Sequence, residues 1–190
     1  MFTVIKMLAP YFAVGVFWWG LENAWLAILA YHAQILLWNW SRRGEISWAG
    51  SGRALWFVLP AALAGPLAYF LLPVMADFDL GAWLDRHRLS GFSFLLMIPY
   101  FGIIHPVLEQ VHWAPLRKRG VVAHVAFAAY HMVVLIDLLG TMWLMVCFLV
   151  LAGASWAWKL MTERAGGLAL PVLSHVLADF GIILAAALLV

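Results

Sequence analysis

Residues 140–158 read GTMWLMVCFLVLAGASWAW, a run without one charged side chain. At about 1.5 Å of helical rise per residue it reaches across nearly the whole hydrocarbon core of a bilayer, about 30 Å. Hydrocarbon offers no water to a backbone, so a segment of this kind satisfies its own peptide groups as a helix. Working outward, comparable runs lie near residues 5–20, 24–40, 54–75, 92–115, 121–138 and 168–190, with Gly and Pro mostly at or between their ends. The pattern predicts an all-α fold, a polytopic transmembrane helical bundle of about seven helices, in one integral membrane domain over 1–190. The composition agrees, since 66% hydrophobic and 11% charged residues leave too few polar groups to cover a soluble surface. At about 20 residues per span, the 190 residues leave no room for a soluble domain. The single cysteine, Cys147, lies in an apolar run and forms no intrachain disulfide.

Charge placement predicts an orientation. Alternating spans put Lys6, the Arg42/Arg43/Arg53 loop, Arg117/Lys118/Arg119 and Lys159/Arg164 on one side, which the positive-inside rule makes cytoplasmic. The other two basic residues, Arg86 and Arg88, share the opposite loop with Asp77, Asp79 and Asp85. This predicts a cytoplasmic amino terminus and an outside carboxyl terminus. Tryptophans fall near both interfaces, Trp38, Trp40, Trp113, Trp156 and Trp158 on the cytoplasmic side and Trp18, Trp19, Trp25 and Trp143 on the other. Arg117-Lys118-Arg119 reads as a topology anchor beside anionic lipid. The net charge of +2 is spread over short loops, which argues against nucleic acid and leaves membrane lipid as the expected surroundings.

Three polar sites interrupt these apolar helices: Glu109 within His105–Gln110, Phe127 with His131, and His175 with Asp179. An ionisable group at membrane depth costs a few kcal/mol or more, so such groups face a protein-lined interior and mark function. Counted from the cytoplasmic helix ends they fall at similar levels, roughly 9 Å for Glu109, 10 Å for His175, and 15 Å for His131 and Asp179. One cavity in the cytoplasmic half is expected to gather all four. At about 100° per residue, His105, Glu109 and His112 share one stripe, His124, Phe127 and His131 another, and His175 and Asp179 lie one turn apart. His32 and Gln34 lie deep in the second span with nothing in the sequence tying them to this site.

The order Glu109-Gln110, Phe127-Ala-Ala-Tyr-His131 and His175-Val-Leu-Ala-Asp179 resembles the CAAX-protease and bacteriocin-processing (CPBP) family of glutamic intramembrane endopeptidases. The resemblance covers a motif-bearing core of about 92–190. The family pattern is Glu-Glu-x-x-x-Arg, Phe-x-x-x-His and His-x-x-x-Asn/Asp on separate helices. The second and third fit as written; in the first, Gln110 replaces the second glutamate and Ala114 the arginine. The resemblance implies a metal-independent peptidase acting on a membrane-associated peptide or protein. Glu109 would then be the general base and His131 would share its water, with His175 and Asp179 supporting the oxyanion. Gln110, Phe127, His105, His112 and His124 would support them.

Other readings stay open. The histidines and carboxylates Glu109, His131, His175, Asp179, His105 and His112 also suit zinc or iron in a membrane enzyme acting on lipid. Buried acid and histidine chains serve proton-coupled transporters as well. The two departures in the first motif keep an inactive membrane scaffold among the expectations.

Overall fold

The computed structural model describes residues 2–50 and 52–190. The side chains of Phe2, Arg42, Gly52, Arg53 and Ala54 fall outside that description, among them two basic residues of the charge pattern above. The chain folds as α1 (Phe2–Ala13), which runs into a π-helix (Val14–Gly20), and α2 (Ala24–Asn39). Next come 3-10 turns at Trp40–Glu45, Gly52–Phe57 and Leu59–Leu63, then α3 (Ala64–Met75), α4 (Leu80–Arg86) and α5 (Gly91–Pro99). A second π-helix (Tyr100–Ile104) leads into α6 (His105–Arg117), α7 (Val121–Leu135), α8 (Thr141–Ala165) and α9 (Ala169–Leu189). Among the described residues β pairing is limited to one bridge, Ala76 with Leu139.

The fold is an all-α bundle, as the apolar runs require. Five stretches are long and apolar enough to cross a membrane: Thr3–Gly20, Leu55–Met75, Gly91–Arg117, Thr141–Ala165 and Ala169–Leu189. Its surface is inverted relative to a soluble protein. Leu149 and Val150 on α8 and Phe70 on α3 are among the many large apolar side chains left exposed. Such a surface is stable only in an apolar medium, so the chain is a membrane protein.

The run at 54–75 remains one candidate span, Leu55–Met75, but it is not one regular α-helix. Its first half is wound as 3-10 turns, with Pro60 in the first turn of Leu59–Leu63. A proline has no N–H for the i→i−4 ladder. The same chemistry shapes Gly91–Arg117, where Pro99 and Pro106 flank the wide π turn and the His105 N–H bonds the Tyr100 carbonyl five residues back. Side-chain caps mark two other helix starts. Asn23 accepts from the Leu26 N–H and Asp79 from the Ala82 N–H.

Helix α9 is the element that positions the site, because it packs against α3, the π turn, α6 and α8. Two glycine contacts bring it close. A Cβ on Gly65 would stand 2.9 Å from the Gly181 Cα, and one on Gly102 would stand 2.8 Å from the Phe180 Cα. Small residues let helix backbones approach in this way, which holds membrane helices together without a hydrophobic drive. Gly65→Ala is expected to cost about 1–3 kcal/mol through overpacking, seen as a lower unfolding midpoint in detergent. Gly153→Ala on α8, where a Cβ meets nothing within 4 Å, is the control expected to leave the midpoint in place.

The polar ends of the bundle are tied by loops. At one end the Trp83 indole N–H donates to Asp137 at 2.9 Å, and Arg86 reaches both Asp137 (3.4 Å) and Glu22 (3.6 Å). Elsewhere the Ser47 hydroxyl donates to the Gly166 carbonyl at 2.8 Å, joining the 40–50 segment to the end of α8.

Candidate active site

Glu109 lies on the inner face of α6 and is fully buried. Its two oxygens are treated differently. Oε1 accepts from the Tyr31 hydroxyl at 2.8 Å and also from the Tyr130 hydroxyl. Tyr31 is itself oriented by the Trp113 indole N–H, which donates to its oxygen at 2.8 Å. Oε2 has no hydrogen-bond partner. It faces two imidazoles instead, His105 Nε2 at 3.6 Å and His175 Nε2 at 3.8 Å. These separations exceed a hydrogen bond and are van der Waals contact, so Oε2 meets both rings without bonding either.

Beside it, Gln110 is equally buried and joins two elements. Its carboxamide nitrogen stands 3.1 Å from His175 Nδ1, and its oxygen accepts from Arg117 Nη1 at 2.6 Å. Arg117 Nε donates to Ser155 Oγ at 3.0 Å, and His124 Nδ1 lies 2.9 Å from the same hydroxyl. The guanidinium sits over the Phe127 and Trp158 rings, 5.3 and 5.2 Å from their centroids. Arg117 is therefore no lipid anchor: it is wholly buried, while Lys118 and Arg119 are exposed. It also supplies what Ala114 does not. Three residues beyond Ala114 is the same helical stripe, so a guanidinium still stands beside Gln110.

The remaining expected residues divide. His131, on α7, holds its Nδ1 2.8 Å from the Phe127 carbonyl, and its ring lies against Tyr130 at 4.0 Å. A carbonyl only accepts, so Nδ1 carries the proton and Nε2 of the neutral ring keeps its lone pair. Phe127 is fully buried and packs edge-on to His131 at 4.7 Å. His175 is stacked under Trp158 at 4.2 Å, and its Nε2 lies 3.2 Å from Asp179 Oδ2 one turn on. The Asp179 carboxylate is thus placed to orient His175. His112 turns away, its Nε2 3.1 Å from the Lys6 carbonyl, and lies beyond Tyr31 rather than on the carboxylate.

Of the four residues expected around one cavity, Glu109 and His175 are closed off from the surroundings, while His131 and Asp179 are half-buried. The cleft of about 350 Å³ lined by Ile5, Leu8, Ala9, Phe12, Gln34 and Trp38 lies elsewhere, on α1 and α2. Among the described residues no group of three or more His, Cys, Asp or Glu side chains is arranged to hold a metal ion. Of the six residues expected for zinc or iron, His112 and His131 are turned to backbone carbonyls, while His105, Glu109, His175 and Asp179 lie 3.2–3.8 Å from one another along a chain of contacts.

No family model, curated protein or solved structure matches the chain.

Sequence reasoning missed several members of this network. Tyr31 and His32 come from α2, far away in the chain. His32 Nε2 lies 3.0 Å from His105 Nδ1, and its Nδ1 lies 2.8 Å from the Tyr100 hydroxyl, which ties the second span to the site after all. The π turn contributes here, because it brings Tyr100 and His105 to the same flank of His32. Tyr130 stood next to a motif histidine unremarked, and Ser155 looked like one small residue in an apolar run. Nothing in their local sequence distinguishes them from packing residues.

Proposed function

We propose that the protein is an intramembrane glutamic endopeptidase, similar in its site to the CPBP family, with its amino terminus in the cytoplasm and its carboxyl terminus outside. The observation that carries this reading is the asymmetry of Glu109. One carboxylate oxygen is saturated by two tyrosine hydroxyls, while the other is unbonded and faces imidazoles. A carboxylate held in that way presents a single lone-pair face to a water.

In the proposed reaction Glu109 Oε2 takes a proton from water as its oxygen attacks a peptide carbonyl. His131, whose Nδ1–H is held by the Phe127 carbonyl, offers its Nε2 lone pair to the same water. His175 supports the oxyanion, the developing charge whose stabilisation is worth most in acyl transfer. At rest Asp179 Oδ2 accepts from the His175 Nε2–H, which turns from it to the developing charge, and Glu109 returns its proton to the leaving amine. Because Glu109 and His175 are closed off, a substrate reaches them only when the surrounding helices part. Such closure keeps bulk water from the reacting carbonyl.

The test is hydrolysis by the purified protein in liposomes, in water enriched in heavy oxygen. Prenylated carboxyl-terminal peptides, bacteriocin leader peptides and other membrane-associated peptides are the substrates. The expected result is two fragments, with heavy oxygen in the new carboxyl terminus and a rate unchanged by chelators. Intact peptides throughout would overturn the reading. Activity lost to a chelator and restored by zinc or iron would transfer it to a metal enzyme.

A further inference from the structure

Gln110 stands where a second carboxylate is expected, and the bonds around it give the substitution a purpose. We infer that Gln110, held by Arg117, fixes His175 in the tautomer that carries its proton on Nε2, making this imidazole the hydrogen-bond donor of the site.

A guanidinium only donates, so the Gln110 atom 2.6 Å from Arg117 Nη1 is the carboxamide oxygen. The NH2 group then faces His175 Nδ1 at 3.1 Å, and an amide N–H cannot accept. Nδ1 must present a lone pair. The proton of the neutral ring is left on Nε2, 3.2 Å from Asp179 Oδ2 and 3.8 Å from Glu109 Oε2, two acceptors. A glutamate at 110 would reverse this polarity. With one oxygen on Arg117 its other could only accept, which calls for a proton on Nδ1 and turns the Nε2 lone pair of a neutral ring towards two carboxylates. His131 has the opposite arrangement, with Nδ1–H on the Phe127 carbonyl. These two histidines are therefore sorted, His175 as donor and His131 as acceptor. Gln110 is a positioning residue, acting through His175. The catalytic consequence rests on the peptidase reading; the tautomer does not.

Nitrogen NMR on the full-length protein with isotopically labelled histidine tests this, with the His175 signals assigned by their loss in His175→Asn. The expected spectrum has a bare Nδ1 and a protonated Nε2 at His175. Gln110→Glu is expected to place a proton on Nδ1. Gln110→Met, which removes the amide without adding charge, is expected to mix the tautomers and serves if the glutamate variant does not fold. A protonated Nδ1 in the wild type, or a bare Nδ1 surviving in both variants, overturns the inference. Absence of hydrolysis in the same samples, with the expected tautomer present, would remove the peptidase reading and leave the tautomer standing.

Discussion

Glu109→Gln is expected to lower peptide hydrolysis by about 10²–10⁴-fold while leaving the fold intact, measured as initial rates beside the unfolding midpoint. The size is that of losing a positioned general base. The separation from folding follows from geometry. A carboxamide oxygen at the Oε1 position still accepts from Tyr31 and Tyr130, so the hydroxyls that hold the side chain keep their acceptor. What disappears is the basic oxygen facing His105 and His175. An unchanged rate would show that whatever cleaves the peptide does not use this carboxylate. The structure makes Glu109 the centre of its network, so that outcome would displace the catalytic proposal entirely.

Arg117→Met is expected to act on the fold first, costing about 3 kcal/mol, which shifts the balance of folded and unfolded protein by more than a hundredfold. Methionine fills much of the volume between Phe127 and Trp158, yet the Gln110 oxygen and the Ser155 hydroxyl lose their donor inside a dry bundle. Arg119→Met, two residues on and exposed, is the contrast: its cost is expected near zero. Thermal unfolding in detergent reads both. Arg117→Lys is expected to fall between them, because an ammonium lacks the planar fork that serves Gln110 and Ser155 together. Equal midpoints for the Arg117 and Arg119 methionine variants would mean that Arg117 contributes no more than the surface basic residues beside it.

Helices and site differ in how legible they were. The helices follow from an argument about solvent, since an apolar run in hydrocarbon has few ways to satisfy its backbone, and the run at 140–158 needs no knowledge of its neighbours. Glu109, His175 and Asp179 could be found because ionisable groups stand out against apolar surroundings, and their spacing gave their facing. Arg117 could not. In sequence it is the first of three basic residues at a helix end, the usual signature of an interface, and only packing against α7 and α8 separates it from Lys118 and Arg119. Tyr31 was harder still, because a tyrosine in an apolar helix is unremarkable until the chain brings Glu109 within 2.8 Å of it. Local pattern reports what each helix turns inward; it does not report what it meets there.

The π turn at Tyr100–Ile104 has a consequence for chain length. A turn closed by an i→i+5 bond contains one residue more than the α-helical turn it replaces. Deleting Ile103 would let that turn close to ordinary pitch with α5 and α6 still facing as they do. Deleting Leu108 instead would rotate Glu109 and everything after it by about 100° relative to α5. The span therefore holds, at its middle, an allowance for losing one residue that preserves which side chains look inward. A shorter descendant of this chain would keep Glu109 among its tyrosines if the missing residue came from that turn, and would present it to lipid if it came from the turn after.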